Sequence, residues 1–198
     1  MSSQKRKYEL RRRADGMEKT RRRIAEAAME LHGSVGPART SLSAVAERAG
    51  VQRHTLYRHF PTEDALYTAC SGMFAAEHPR PELGAWREID DPEARLSVGL
   101  GELYRWYEEN EPMLTNLYRD RALVEPVDTQ MRRSDEYLEE AARTLTAGGR
   151  RRRVVTAAAR HAVDFQTWHS LVRDGGVSRA QAVALASAMV LAAQGPLR

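Results

Sequence analysis

The chain has almost no cysteine. Cys70 is the only one in 198 residues, so no internal disulfide can form, and it lacks the neighbours of a metal or redox motif. It is expected to behave as a buried small hydrophobe. Long apolar runs are missing too: none approaches the roughly 20 residues that span a bilayer, and the N-terminus lacks the apolar stretch of a signal peptide. A cytoplasmic protein with no membrane partner is expected. No segment alternates with period two, so strands are not expected, and no internal repeat is present. Gly-rich phosphate loops, a nucleophile elbow and strongly spaced metal-ligand pairs are all lacking. These absences argue against an enzyme, and no cofactor is expected.

What is present is a folding composition with an uneven charge. Hydrophobic residues make up 42% and charged residues 29% of the chain, enough to bury a core. The formal net charge of +4 divides into +8 over residues 1–60 (14 Lys and Arg against 6 Asp and Glu) and −4 over the rest. A basic head on a mildly acidic body points to a polyanion partner for the head, because Lys and Arg on phosphates release counterions. Charge spread over the whole surface, as in a non-specific architectural DNA binder, would look different.

Helical periodicity runs through the chain. Residues 1–18 are charged, with little apolar content, and read as a flexible basic arm. From Lys19, Ile24, Ala27, Ala28 and Leu31 recur at helical spacing until Gly33, Gly36 and Pro37 break it. Two short helices follow, over 43–49 and 52–60, with Gly50 turning between them, then one over 62–78. Residues 78–92 form the one long irregular connection. Helices are then expected from Asp91 and Pro92 to a stop before Pro112, from 113 to 123, from 126 to 147, from 151 to 173 and from 178 to 194. The fold class is therefore all-α: a three-helix head with a helix-turn-helix, plus a helical-bundle body. The expected domains are the arm at 1–18, the head at 19–61 and the body at 62–198.

The most informative segment is Ser41 to Phe60, SLSAVAERAGVQRHTLYRHF. Val45, Ala46 and Ala49 make one apolar face, and Val51, Leu56 and Phe60 the next. With these buried, Ser43, Gln52, Arg53, His54, Thr55, Tyr57, Arg58 and His59 form an outward polar set. Arg and Gln near a helix N-terminus suit the major groove, where Arg pairs bidentately with guanine and Gln with adenine. Ala49-Gly50-Val51 followed by Thr55-Leu56-Tyr57-Arg58-His59-Phe60 resembles the DNA-binding segment of the TetR (tetracycline repressor) family of bacterial transcriptional regulators, over residues of about 20 to 70. By that resemblance Tyr57, His59, Thr40 or Ser41, and Thr55 would grip phosphates, while Ser43, Gln52, Arg53 and His54 would face bases.

Two features depart from the family pattern. Glu63 and Asp64 stand where a phosphate-binding lysine is common, and Gln52 replaces a Ser-type cap. The basic arm, with Lys5, Arg6, Lys7, Arg11, Arg12 and Arg13, could offset both by lying along the DNA backbone or minor groove.

The resemblance further implies a repressor acting on a palindromic double-stranded operator, a homodimer built through the last two helices, and release by a small lipophilic effector. The last helix fits, since Ala182, Leu185, Ala186, Met189, Ala192 and Ala193 leave little polar surface. Candidate pocket residues share helical faces: Leu103, Trp106, Tyr107 and Asn110; Met113, Leu117 and Tyr118; and His161, Phe165, Trp168 and His169. Each of these is also an ordinary core residue type. His161, Asp164 and His169 do not suit one metal ion, the histidines being two turns apart, and no metal site is expected. The run Arg150 to Arg153 is more simply read as solvated, or paired with Asp135, Glu136, Glu139 and Glu140, than as a second DNA patch.

Overall fold

The computed structural model describes residues 2–149 and 153–195 and, among them, contains helices and no strand. The chain divides into two compact units, one of residues 1–78 with 115–130, the other of 79–114 with 131–198.

In the first unit, α1 (Ser2–Ser34) packs on α2 (Leu42–Arg48), α3 (Arg53–His59) and α4 (Glu63–Glu77). Ile24, Ala25, Ala27 and Ala28 of α1 meet Val45, Ala46, Ala49, Leu56, Phe60, Leu66 and Cys70 in one buried cluster. Small alanines on α1 let the short helices approach it closely. The cysteine is buried as expected.

The first helix departs from the sequence reading. Instead of a flexible arm followed by a helix from Lys19, one helix runs back to Ser2. Residues 7 to 19 are exposed throughout, so no packing holds them. Propensity does, because the segment is rich in Arg, Lys and Glu, lacks proline, and extends a helix already nucleated in the core.

In the second unit the irregular connection contains a short helix, α5 (Leu83–Arg87), whose Trp86 is fully buried with its indole N–H donating to Glu102 at 2.7 Å. The next helix, α6 (Pro92–Asp120), does not stop before Pro112 and leaves no separate helix at 113–123. Tyr107, Asn110 and Leu114 are buried on either side of Pro112 while the proline itself is exposed. Packing on one face outweighs one lost hydrogen bond on the other. The end of α6 and the start of α7 (Glu125–Leu145) belong to the first unit.

The penultimate helix is also not continuous. It breaks into α8 (Arg153–Ala162) and α9 (Phe165–His169), the latter running on into a π-helical turn, Ser170–Asp174. Asp164 caps α9 by accepting from the Gln166 N–H at 2.7 Å. The carbonyls exposed by the break accept hydrogen bonds from two buried phenols, Tyr104 to Ala162 at 2.8 Å and Tyr107 to Val163 at 2.5 Å. The final helix, α10 (Arg179–Gln194), opens with a capping box of Ser178 and Gln181 and packs along α8.

Candidate nucleic-acid interface and ligand site

The turn between α2 and α3 is a Schellman motif. Gly50 has φ +62°, its N–H reaches the Glu47 carbonyl at 3.0 Å, and the Val51 N–H reaches Ala46 at 2.9 Å. Glycine is needed because side chains disfavour this backbone region. The Ser41 hydroxyl caps α2 by accepting from Ala44 at 3.1 Å. Gln52 at the start of α3 makes no side-chain cap, as its departure from a Ser-type residue implies.

With Leu56 and Phe60 buried against α1, α3 leaves Gln52, Arg53, His54, Tyr57 and Arg58 exposed on one outer side, Ser41 and Ser43 exposed on α2, and Thr40 and Thr55 half-buried. Arg53 and Tyr57, one turn apart, touch each other: the guanidinium donates to the phenol oxygen at 3.0 Å and lies 5.7 Å from the ring. The Thr40 hydroxyl is turned back to Gly36 at 2.8 Å.

His59 differs from the rest of the set. It is only 8% exposed, and its buried Nε2 has no hydrogen-bond partner. Its pKa is lowered, first by desolvation and then by Arg58 and Arg21. Its carbonyl accepts from Arg21 at 2.7 Å, and the Arg21 guanidinium stacks 4.3 Å from the Phe60 ring. Phosphate contact by this imidazole would require it to leave that buried setting. Glu63 and Asp64 sit in the first turn of α4 behind the Thr62 cap, which suits the helix dipole.

Sequence reasoning missed a second polar feature of this unit. The end of α6 clamps the loop after α1. Asn116 donates to the His32 and Gly33 carbonyls at 3.0 and 2.9 Å, Arg119 donates to Val35 at 3.1 Å, and buried Asp120 accepts from the Ala38 N–H at 3.0 Å. The Arg119 guanidinium beside Asp120 holds that carboxyl below its ordinary range. Gly36 has φ +96°, and a Cβ there would lie 2.5 Å from the buried Asp120 carboxylate, so the position favours glycine. Against the clamp, His32 stacks on Tyr67 with centroids 4.7 Å apart, and burial pushes its pKa down to about 4. The only sequence signal was Gly33 and Gly36 around the end of α1, read simply as a helix end.

In the second unit the candidate pocket residues divide. Leu103, Trp106, Tyr107, Asn110, Phe165 and Trp168 are buried, with His169 half-buried and Met113 partly covered. Tyr107 packs edge-on to Phe165 at 5.4 Å, and Trp168 lies 5.9 Å from Tyr107. Two polar atoms in this cluster, the Trp168 indole nitrogen and the Asn110 Oδ1, are buried without a partner. Leu117 and Tyr118 belong instead to the first unit. His161 is exposed and lies 3.2 Å from the Thr167 hydroxyl.

Two short helices in a glycine turn, packed on a third and presenting an uncovered polar face, define a helix-turn-helix DNA-binding protein. Residues 24–70, the segment that holds the helix-turn-helix, match the family described as bacterial regulatory proteins, tetR family. Similar solved structures include a TetR regulator from Haloarcula marismortui, at 16% identity and TM-score 0.58, covering 89% of this chain and 96% of that one. A TetR regulator from a Rhodococcus species aligns at 21% identity and TM-score 0.54 with the same coverages. One from Streptomyces coelicolor aligns at 19% and 0.60, covering 89% and 79%. These show that the shared fold continues beyond the matched segment. No curated protein is similar enough in sequence to be matched. No described helix is long and apolar enough to cross a membrane.

Proposed function

We propose that the chain is a repressor that binds a palindromic operator as a homodimer and lets go when a small lipophilic effector binds its body. The observation carrying this reading is the face of α3, where Gln52, Arg53, His54, Tyr57 and Arg58 are exposed together while the opposite side is core. In this reading residues 19–61 read DNA, with Ser43, Gln52, Arg53 and His54 at bases, Tyr57, Thr55 and Thr40 or Ser41 at phosphates, Arg58 beside them on the exposed face, and His59 reaching a phosphate only by leaving its buried setting. Residues 62–198 hold ligand and partner, and 1–18 add basic contacts along the backbone. Selection from a randomised duplex library, followed by sequencing of the retained DNA, tests it. An inverted repeat is expected, and recovery of unrelated sequences would refute it.

Dimerisation through α8 to α10 is supported by the outer side of α10, where Ala184, Leu185, Ala188 and Ala192 are exposed without one charge and Leu185 is 52% uncovered. Light scattering should give twice the mass of 22.3 kDa, and Leu185→Glu should give monomers that bind the operator weakly.

The effector reading is supported by the aromatic cluster around Tyr107 and Trp168. Buried polar atoms are nearly always partnered, and the unpaired indole N–H and Asn110 oxygen offer one donor and one acceptor to a flat apolar ligand. A lipophilic library screened by tryptophan fluorescence should yield compounds that weaken operator binding. By linkage the operator weakens them equally. Binders that leave operator affinity unchanged would exclude a regulatory role.

A further inference from the structure

A cleft of about 680 Å³ lies along the C-terminal half of α7, the Gly148–Gly149 turn and the first turns of α8. None of the residues assigned above to DNA or effector lines it. Its volume falls within the range of small-molecule sites.

The cleft has two distinct chemistries. Its inner wall is apolar, formed by buried Ala142, Val155 and Ala159. Its charged lining is cationic, with Arg143, Arg153 and Arg160 against the single acid Glu139. Glu139 is shared, lying 2.9 Å from Arg160 and 3.7 Å from Arg143, and Arg143 is also held by Glu140 at 2.8 Å. Arg153 is exposed and has no ion-pair partner among the described residues. Arg150, Arg151 and Arg152, which precede it, lie outside the described residues. The part of the arginine run that is visible is thus a cleft residue, not one paired with the acids of α7.

We propose that this cleft binds an amphipathic carboxylate. Arg153 receives the anion as a bidentate partner, Arg160 flanks it, and the apolar body lies on Ala142, Val155 and Ala159. Arginine suits the role because its planar fork matches a carboxylate and stays charged at any working pH. A purely apolar ligand would leave the Arg153 guanidinium, the one without an acidic partner among the described residues, beside it without use, and an inorganic anion would leave the alanine and valine wall wet. The site is independent of the effector reading, since it shares no residue with the aromatic cluster.

The test uses the full-length protein and two probes of equal tail, octanoate and 1-octanol, titrated by calorimetry. Octanoate should bind roughly tenfold more tightly, the difference a charge-assisted contact supplies. Arg153→Gln should reduce octanoate to the level of octanol. Ala157→Trp, at an exposed position of the cleft wall on α8, should weaken both probes, with thermal melts and light scattering confirming that each variant folds and keeps the oligomeric state of the unmodified protein. Equal affinity for the two probes, or an Arg153→Gln variant that binds octanoate unchanged, would overturn the proposal. So would binding that survives Ala157→Trp but is lost in Trp168→Phe, which places the ligand in the aromatic cluster. If octanoate does not bind and Arg153→Gln instead weakens duplex DNA, the patch is a nucleic-acid contact and the proposal falls.

Discussion

The outer face of α3 and the aromatic cluster of the second unit are both candidate sites, and they are built in opposite ways. The α3 face is a single helix whose polar residues stay in solvent, so each side chain can change with little effect on folding. The cluster is made by α6 and α9 together, and its residues are core first. Tyr104 and Tyr107 hold the break between α8 and α9 by bonding the Ala162 and Val163 carbonyls. A site on one surface helix separates binding from stability; a site between packed helices cannot.

The sharpest way to break that contrast is Trp168→Ala. The side chain is fully buried, so truncation should cost about 3–5 kcal/mol in chemical denaturation. A loss near zero would mean that the cluster is loosely packed and that its role is binding alone.

Acid titration gives the next largest effect. His32 has its pKa pushed down to about 4 by burial, whereas in the unfolded chain it is near 6.5. Between those values the unfolded state binds the extra proton, so stability should fall as pH drops from about 6.5 to about 4, by at most roughly 1.4 kcal/mol per pH unit. Asp120, depressed by Arg119, adds stability that is present above its unfolded pKa and lost as pH falls through its folded one. Denaturation curves of His32→Gln should therefore be flatter across the upper window. An unaltered slope would move the proton uptake elsewhere.

Arg53→Ala should lose about 1–3 kcal/mol of discrimination at one base, while Tyr57→Phe weakens all sequences about equally. Neither should change the unfolding free energy by more than about 0.5 kcal/mol. A selection that returns the same base preference for Arg53→Ala would show that another side chain reads the groove. Smallest of all, Gly50→Ala should destabilise the protein by about 1–2 kcal/mol, since φ is +62° there, yet no atom lies near the added methyl. Thermal melts can check this, and a stabilised variant would contradict the turn geometry.

The head was legible because its information is local. Ala49-Gly50-Val51 sets the turn, Leu56 and Phe60 set the buried side, and what remains is by elimination the outer face. His59 shows the limit, for its place in the helix says polar and its neighbours make it buried. In the body, spacing found the right aromatic residues but could not say which would bond a backbone carbonyl and which would stay unpaired. Pro112 misled because it was read as a local stop, while the course of α6 depends on the packing of its opposite face; the glycines near the end of α1 were rightly read as a stop, and what they hid was the close approach of Arg119 and Asp120.

The helical class, the basic head, the turn and the side of α3 that meets solvent could all be read from the residues in order, because they follow from periodicity and from backbone preferences within a few positions. The clamp of Asn116, Arg119 and Asp120 on the loop at Gly36, the break between α8 and α9, and the cleft beside Arg153 emerge only once the helices are packed. Those depend on groups separated by tens of residues, and no local preference encodes which distant donor will reach which carbonyl.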